Sequence, residues 1–449
     1  MEKINSAADT VLLLDNYNEE SAMLHQSMKK AGFSGPVIVI EDDGFFPEDV
    51  ISAYQYFCGT FKNKEGIPGK PRYFNQIQVP DYWEISANNS SGKVKDFYRE
   101  RGRIFYAEPK HKRLVRVVDW LDERGVVRSS DHYNRYGVLY ARTFFNKDGK
   151  KFCKAYFDAE GREVLLENYV THNIIVNRNE KVYVLKNKTE LVLKVLEELG
   201  VMQSRIFYNS LSTPLFVSER MPSERKEDIL FWQEPVRNDI PGNMQAILHG
   251  TSNRTKKIYV QKRESYLKFL ELGVPSEVVD CLGFVYDYEG ENSYKNEALI
   301  CTNSDRIEKC EELIQALPNL HFHIAAITEM SSKLMSLARY ENVSLYPGVR
   351  MDVLEDLFHS CDYYLDINHE SEIVSAVKKA FDHQMLIAGF KQTLHNKAFI
   401  APEHVFEDFN GLKSFLESVM NDVEKIDRHL EVQKKIAMSE SLKTYANLL

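Results

Sequence analysis

The sequence predicts an α/β protein: two Rossmann-like domains in tandem, with an antiparallel β-sheet domain inserted in the first. Three observations predict it. Short apolar runs alternate with amphipathic helices near both ends of the chain. The middle third abandons that alternation for β-branched and aromatic runs separated by glycine turns. A polar, turn-rich stretch, Tyr286-Asp287-Tyr288-Glu289-Gly290-Glu291-Asn292-Ser293, divides the second half and reads as a linker. The boundaries that follow are 1–43 and 187–286 for the first Rossmann-like domain, 44–186 for the insert, 287–425 for the second domain and 426–449 for a helical tail.

The first forty residues read as β-α-β. A strand is expected at 11–14, a helix capped by Asn18 and closed by Gly32, and a strand at 37–40. Two apolar strands around an amphipathic helix imply a parallel sheet covered on both faces. In the insert, strands are expected at 115–121, 136–145, 151–157, 162–166, 173–176 and 181–185. Gly125, Gly149 and Gly161 mark hairpin turns. Tyr136, Val138, Tyr140, Phe152 and Tyr156 keep a period of two, so one face of the meander is aromatic. That face packs on the host domain or receives a partner protein.

The α/β rhythm returns with a helix at 191–199 closed by Gly200, strands at 205–208, 229–232 and 257–260, and helices at 244–248 and 263–272. After the linker come strands at 298–301, 321–326, 343–346, 363–367 and 385–388. Helices at 306–316, 331–338, 351–358 and 373–381 intervene. Open α/β sheets bind ligands at the carboxyl ends of their strands, and two such domains facing each other leave a cleft.

With 449 residues, 43% hydrophobic, the chain has enough apolar material for two or three domains. Its formal charge of −9 opposes a general role in nucleic-acid binding. Lys110, Lys112, Arg113 and Arg116 form a local basic patch, read as a hairpin tip before a phosphate site. No apolar run is long enough to span a bilayer, and MEKINSAADT lacks the pattern of a secretory signal. The six cysteines show neither metal spacing nor a disulfide framework. The expected location is cytoplasmic.

No GxGxxG loop follows the first strand and no Walker pattern appears anywhere, which weighs against dinucleotide oxidoreductases and P-loop enzymes. Glu41-Asp42-Asp43 reads as a solvated strand end before a cation site. His321 and His323 share a strand face, but no third ligand is visible nearby, so a core or interface role is favoured. His249-Gly250 closes a helix, as a cap or as a ligand contact. Asn368, His369 and Glu370 lie on the loop leaving a strand, where they contact ligand or cap the next helix.

The stretch Leu365-Asp366-Ile367-Asn368-His369-Glu370-Ser371-Glu372, its following helix and Leu386-Ile387-Ala388 resemble retaining glycosyltransferases of the GT-B type. In those enzymes a Glu-x7-Glu motif serves the reacting sugar and the nucleotide ribose, and an upstream Gly-Arg-Leu-x3-Lys-Gly segment supplies cations to the diphosphate. Laid on this chain, Glu370 holds the first Glu position and Lys378 the second. Thr302 and Asn303 replace Gly-Arg, and Glu308 replaces the diphosphate lysine. An ammonium has no acceptor for ribose hydroxyls. Asn303, Glu308 and Lys378 therefore read as degenerate donor-site positions, and no catalytic residue is assigned.

Closer resemblance is carried by Leu14-Asp15-Asn16-Tyr17, Leu24-His25, Ala31-Gly32-Phe33, Asp42-Asp43-Gly44-Phe45, Pro47-Glu48-Asp49-Val50, Pro241-Gly242-Asn243-Met244-Gln245 and the inserted sheet. Over essentially the whole chain it is similar to the GtfB family, the stabilising, acceptor-binding subunits of the O-linked N-acetylglucosamine transferase of the accessory Sec glycosylation system. That resemblance implies a GT-B-like fold; neither a cofactor nor a metal is expected. It implies pairing with a catalytic sister glycosyltransferase through the inserted sheets, as a heterotetramer. It also implies binding of a serine-rich-repeat adhesin before export by the accessory Sec translocase, with peripheral attachment to the cell membrane. His249, Asn368, His369 and Glu370 are the candidate acceptor or sugar contacts. The alternatives are an active retaining GT-B transferase that uses Glu370 with Arg306 or Lys309 on a UDP-sugar, and a plain scaffold.

Overall fold

A computed structural model describes residues 9–59, 69–178, 180–222, 227–235, 238–252 and 254–449. Two compact units result: one runs to Leu282 and takes back Tyr445–Leu449, the other is Gly283–Thr444.

The first unit begins with β1 (Thr10–Leu14), β2 (Val37–Val39) and β3 (Val50–Ser52). The insert contributes β4 (Glu84–Ala87), β5 (Ser91–Asp96), β6 (Arg99–Tyr106), β7 (Val115–Leu121) and β8 (Val127–Tyr133). It continues with β9 (Leu139–Phe145), β10 (Lys151–Phe157), β11 (Glu163–Asn168), β12 (Ile174–Arg178) and β13 (Lys181–Leu185). The first unit then resumes with β14 (Arg205–Tyr208), β15 (Asp228–Trp232), β16 (Thr255–Val260) and β17 (Val279–Cys281).

Seven parallel strands form the host sheet in the order β17-β16-β15-β14-β1-β2-β3. Every residue of β1 is buried, as a central parallel strand requires. The helix Glu19–Lys30 follows because Asn18 Oδ1 accepts from Ser21 N at 2.9 Å, acidic residues fill its first turn and lysines its last. At the other side of the unit, Arg254 and Asp228 make a fully buried, bidentate ion pair at 2.9 and 3.1 Å. Ser218 Oγ and Ile206 N also donate to that carboxylate.

The insert begins later than the expected 44. Strand β3 and the helix Ala53–Cys58 still belong to the host, β3 pairing in parallel with β2. Three residues of strand are too few to show periodicity, which is why the sequence did not reveal β3. The ten-stranded antiparallel sheet, in the order β13-β12-β11-β10-β9-β8-β7-β6-β5-β4, therefore occupies the crossover from the third to the fourth host strand.

Opposite faces of this sheet are covered at its two ends. Register places Lys154, Glu167 and Ile174 on one face, with Tyr156, Leu165 and Val176 beside them, all buried. Tyr156 stacks on Tyr54 of the helix Ala53–Cys58 at 4.4 Å, so the aromatic face packs on the host. At the other end, Val94, Ile104 and Val118 point to the opposite face, where Phe74, Val79 and Trp83 cover them. Phe152, expected on the aromatic face, sits at a β-bulge and stays exposed. Of the basic patch, Lys110, Lys112 and Arg113 lie on the β6–β7 connection, where Arg113 holds Asn89, and Arg116 lies in β7.

The second unit holds β18 (Glu297–Thr302), β19 (His321–Ala326), β20 (Val343–Tyr346), β21 (Tyr363–Asp366), β22 (Leu386–Phe390) and β23 (Val405–Phe406). All are parallel, in the order β20-β19-β18-β21-β22-β23. That is the doubly wound order, and its switch point lies between β18 and β21.

Two further boundaries differ from the sequence reading. The stretch 286–293 is packed as a strap and not a free linker: Tyr286 meets Phe381 edge-on at 4.8 Å, and Asn292 and Ser293 bond to Asp362. The tail is not separate either. In the helix Val423–Ile436, Gln433 donates to Met385 O and accepts from Ile387 N, both at 3.0 Å.

Candidate functional site

The carboxyl ends of β18 and β21 bring five of the seven singled-out residues together. Chain leaving β18 runs through Asn303 to Glu308, and chain leaving β21 runs through Asn368 to Glu370. An isolated antiparallel bridge joins Ile307 to Asn368. Glu308 N donates to Ile367 O at 2.8 Å and His369 N to Arg306 O at 2.9 Å. This pairing takes the backbone groups that a helix beginning at 306 would need. The helix accordingly starts at Cys310, after Lys309 in a left-handed conformation. The helix expected at 373 likewise begins at Ala376, because Val374 and Ser375 both have positive φ.

Asn368 is buried and spent on the loop itself: Thr302 Oγ1 lies 3.0 Å from its Oδ1, and its Nδ2 donates to Glu370 O at 3.0 Å. His395, which the sequence reading passed over, locks the same loop. Its Nδ1 lies 2.6 Å from Asp366 Oδ1 and its Nε2 2.5 Å from Glu370 O. The hydrogen bond to Asp366, with the Glu370 carbonyl in support, raises its pKa from 6.5 to about 9. His395 is thus a doubly donating imidazolium. The only sequence signal was a histidine shortly after a parallel strand.

The polar side chains around this loop already have partners. Arg306 meets Glu370 at 2.9 Å, and His369 meets Glu308 at 2.7 Å. Lys309 holds Glu312 at 3.1 Å and Lys378 holds Asp382 at 2.6 Å, each one turn along a helix. A cavity of about 230 Å³ opens beside Asn303, lined by Ser304, Asp305, Thr328, Glu329 and Ser331 among others. Its charged lining groups are Asp305 and Glu329, both carboxylates. Hydroxyl-rich ligands suit such a lining, whereas a diphosphate meets repulsion and no cation.

His249 belongs to the first unit, where its backbone N caps the helix Gly242–Leu248 through Gln245 O and Gly250 follows at φ 67°. Asp42 is half-buried and accepts from Gly44 N, Ser52 Oγ and Gln55 Nε2, so it braces the strand end, while Glu41 beside it is exposed. His321 and His323 do have a third group nearby: Glu297 meets His323 at 2.7 Å. Tyr346 and Ser344 complete this hydrogen-bonded network.

Two units built on parallel sheets, the second with a switch-point loop carrying Glu370, define a glycosyltransferase-like protein of the GT-B class. The chain matches the family models of the GtfB N-terminal domain at residues 11–57, the GtfB middle domain at 83–186, the GtfB third domain at 188–272 and the GftB/GlyA-F C-terminal domain at 298–433. It belongs to the GtfB family. It is 39% identical over 444 residues to the UDP-N-acetylglucosamine–peptide N-acetylglucosaminyltransferase stabilizing protein GtfB of Streptococcus gordonii, covering 98% of each chain. A crystal structure of a GtfA/B complex bound to UDP and GlcNAc contains a chain 38% identical, with a TM-score of 0.91 over 98% of this chain and 99% of that one. The glycosyltransferase fold extends to TarM, with a TM-score of 0.50 at 12% identity over 99% of this chain and 98% of that one.

Proposed function

We propose that this chain is the stabilising, acceptor-binding subunit of a peptide O-GlcNAc transferase complex. It pairs with a catalytic sister of GtfA type and performs no sugar transfer of its own. The observation that carries the reading is the carboxylate-lined cavity beside Asn303, in a family whose relatives are named for stabilising the transferase. A leaving diphosphate needs oriented cations, and one such group is worth about 3–4 kcal/mol of transition-state stabilisation.

The acceptor in this reading is a serine-rich-repeat adhesin polypeptide, glycosylated in the cytoplasm before export by the accessory Sec translocase. Membrane attachment is peripheral and comes through the partners: no helix among the described residues is long and apolar enough to cross a bilayer. A disordered serine-rich chain offers little apolar area per contact, so a second binding site tethered to the catalytic one raises its effective concentration. The sister docks on the inserted sheet, as a heterotetramer. Support for that placement is the exposure of Phe144, Phe152, Val182 and Val184 there.

The test is to incubate the purified chain with UDP-GlcNAc and a serine-rich peptide, alone and with the sister. Expected is no hydrolysis or transfer alone, and transfer by the pair that exceeds the sister's own. Turnover by the chain alone that disappears in Glu370→Gln establishes instead an active retaining transferase.

A further inference from the structure

A second cluster lies away from the switch-point loop, where the strap 283–296 crosses the helix Met351–Ser360. Glu355 and His359 stand one turn apart on that helix. His383 caps the neighbouring helix Ala376–Asp382 and closes on them, its ring 4.3 Å from that of His359. One ligand atom from each of the three lies within 4.8 Å of the others. His383 is 2% exposed, and among the described residues neither of its ring nitrogens has a hydrogen-bond partner. Buried imidazoles are ordinarily satisfied, so this one demands an explanation.

The distances supply one. His383 Nε2 lies 3.5 Å from Glu355 Oε1 and 3.5 Å from Glu289 Oε2 on the strap. That is too long for a charge-assisted hydrogen bond, which runs near ~2.8 Å. The Glu355 separation is close to the edge of a zinc tetrahedron, ~3.4 Å for ligands at ~2.0–2.1 Å from the ion. Lys379 pairs with the other oxygen of Glu355, leaving Oε1 free to face the cluster. A Cβ on Gly290 would stand 3.3 Å from His383 Nδ1, so the strap passes directly over the ring.

The other two histidine clusters differ. Glu297, His321 and His323 already form a hydrogen-bonded network with Ser344 and Tyr346. His404 and His429 bond each other at 3.0 Å, and His429 meets Glu403 at 3.1 Å.

We propose that Glu355, His359 and His383 bind one divalent transition ion of the zinc class beneath the strap 283–296, whose Gly290 passes over the His383 ring. Two imidazoles with one carboxylate are a borderline donor set that selects zinc over calcium or magnesium.

The experiment uses tag-free, full-length protein stripped with chelator and titrated with Co(II), then challenged with Zn(II). Expected is one equivalent with the intense visible absorption of tetrahedral Co(II), displaced by zinc. His359→Ala, on an exposed position that spares the core, should weaken binding by more than the ~10–100-fold that loss of an outer-shell partner costs. His323→Ala and His429→Ala should bind as the parent does. No tetrahedral signal, a signal unchanged in His359→Ala, or a signal lost only in His323→Ala or His429→Ala overturns the assignment.

Discussion

His395 shows how one side chain fixes the geometry of the candidate site. Its imidazolium bridges Asp366 and Glu370 O, so the loop carrying Glu370 depends on a proton. The folded pKa of about 9 exceeds the ordinary 6.5. The bridge's contribution is complete below the unfolded pKa and disappears as pH rises through the folded one. Thermal melts between about pH 7 and pH 10 should fall more steeply for the native chain than for His395→Gln, and an NMR titration should place the imidazole near pH ~9. Equal slopes in the two proteins would remove the proton from the account. At Arg254 the argument is burial: Asp228→Ala leaves a guanidinium uncompensated in the core and should cost about 3–5 kcal/mol in a denaturant melt. Asp228→Asn, which retains one acceptor, should cost less.

Among the elements, the inserted sheet has the most consequence. Its outer strand β13 is an edge strand with Val182, Tyr183 and Val184 exposed, and such an edge is a ready template for another chain. The double variant Val182→Lys, Val184→Lys places charge on that edge without touching the buried Tyr156 face. Co-purification with the sister transferase should fall at least tenfold, while the melting temperature of the isolated chain stays within ~1–2 °C. Undiminished pairing would move the interface to another part of the sheet. These strands were only partly legible in the sequence. β7, β10 and β13 announced themselves by β-branched and aromatic runs between glycine turns. β4, β5 and β6 carry Ser, Lys and Arg at exposed positions, and β8 buries the polar Ser130 and Asp131, so no apolar period stands out. Helix starts at Cys310 and Ala376 were hidden for another reason: the loops before them pair with each other across the sheet, a long-range choice that local propensity does not encode. The same holds at the site. Charge at Glu308 and Lys378 could be read from the chain, but the burial of Asn368 and the grip of His395 depend on residues brought from separate strands.

For the whole molecule, the decisive contrast is between a nucleotide-sugar and a hydroxyl-rich polypeptide as ligand. A ligand that binds only the folded state at a hundred times its Kd adds about 2.7 kcal/mol to stability. In a unit of this size that raises a melting transition by roughly 5–10 °C. The GT-B architecture by itself predicts such a rise with UDP-GlcNAc. The cavity beside Asn303 predicts none, because Asp305 and Glu329 face the space and Lys309 and Lys378 are engaged by Glu312 and Asp382. Melts of the isolated chain should therefore be unmoved by millimolar UDP-GlcNAc and raised by a serine-rich repeat peptide. The peptide effect should vary little with salt, since serine hydroxyls carry no charge to screen. Replacing Asp305 and Glu329 together by Asn and Gln distinguishes electrostatic exclusion from mere loss of shape. If repulsion is the barrier, weak nucleotide binding returns; if the pocket has lost its form, it does not. A rise with UDP-GlcNAc in the unaltered chain would restore the donor site and with it the active-transferase reading.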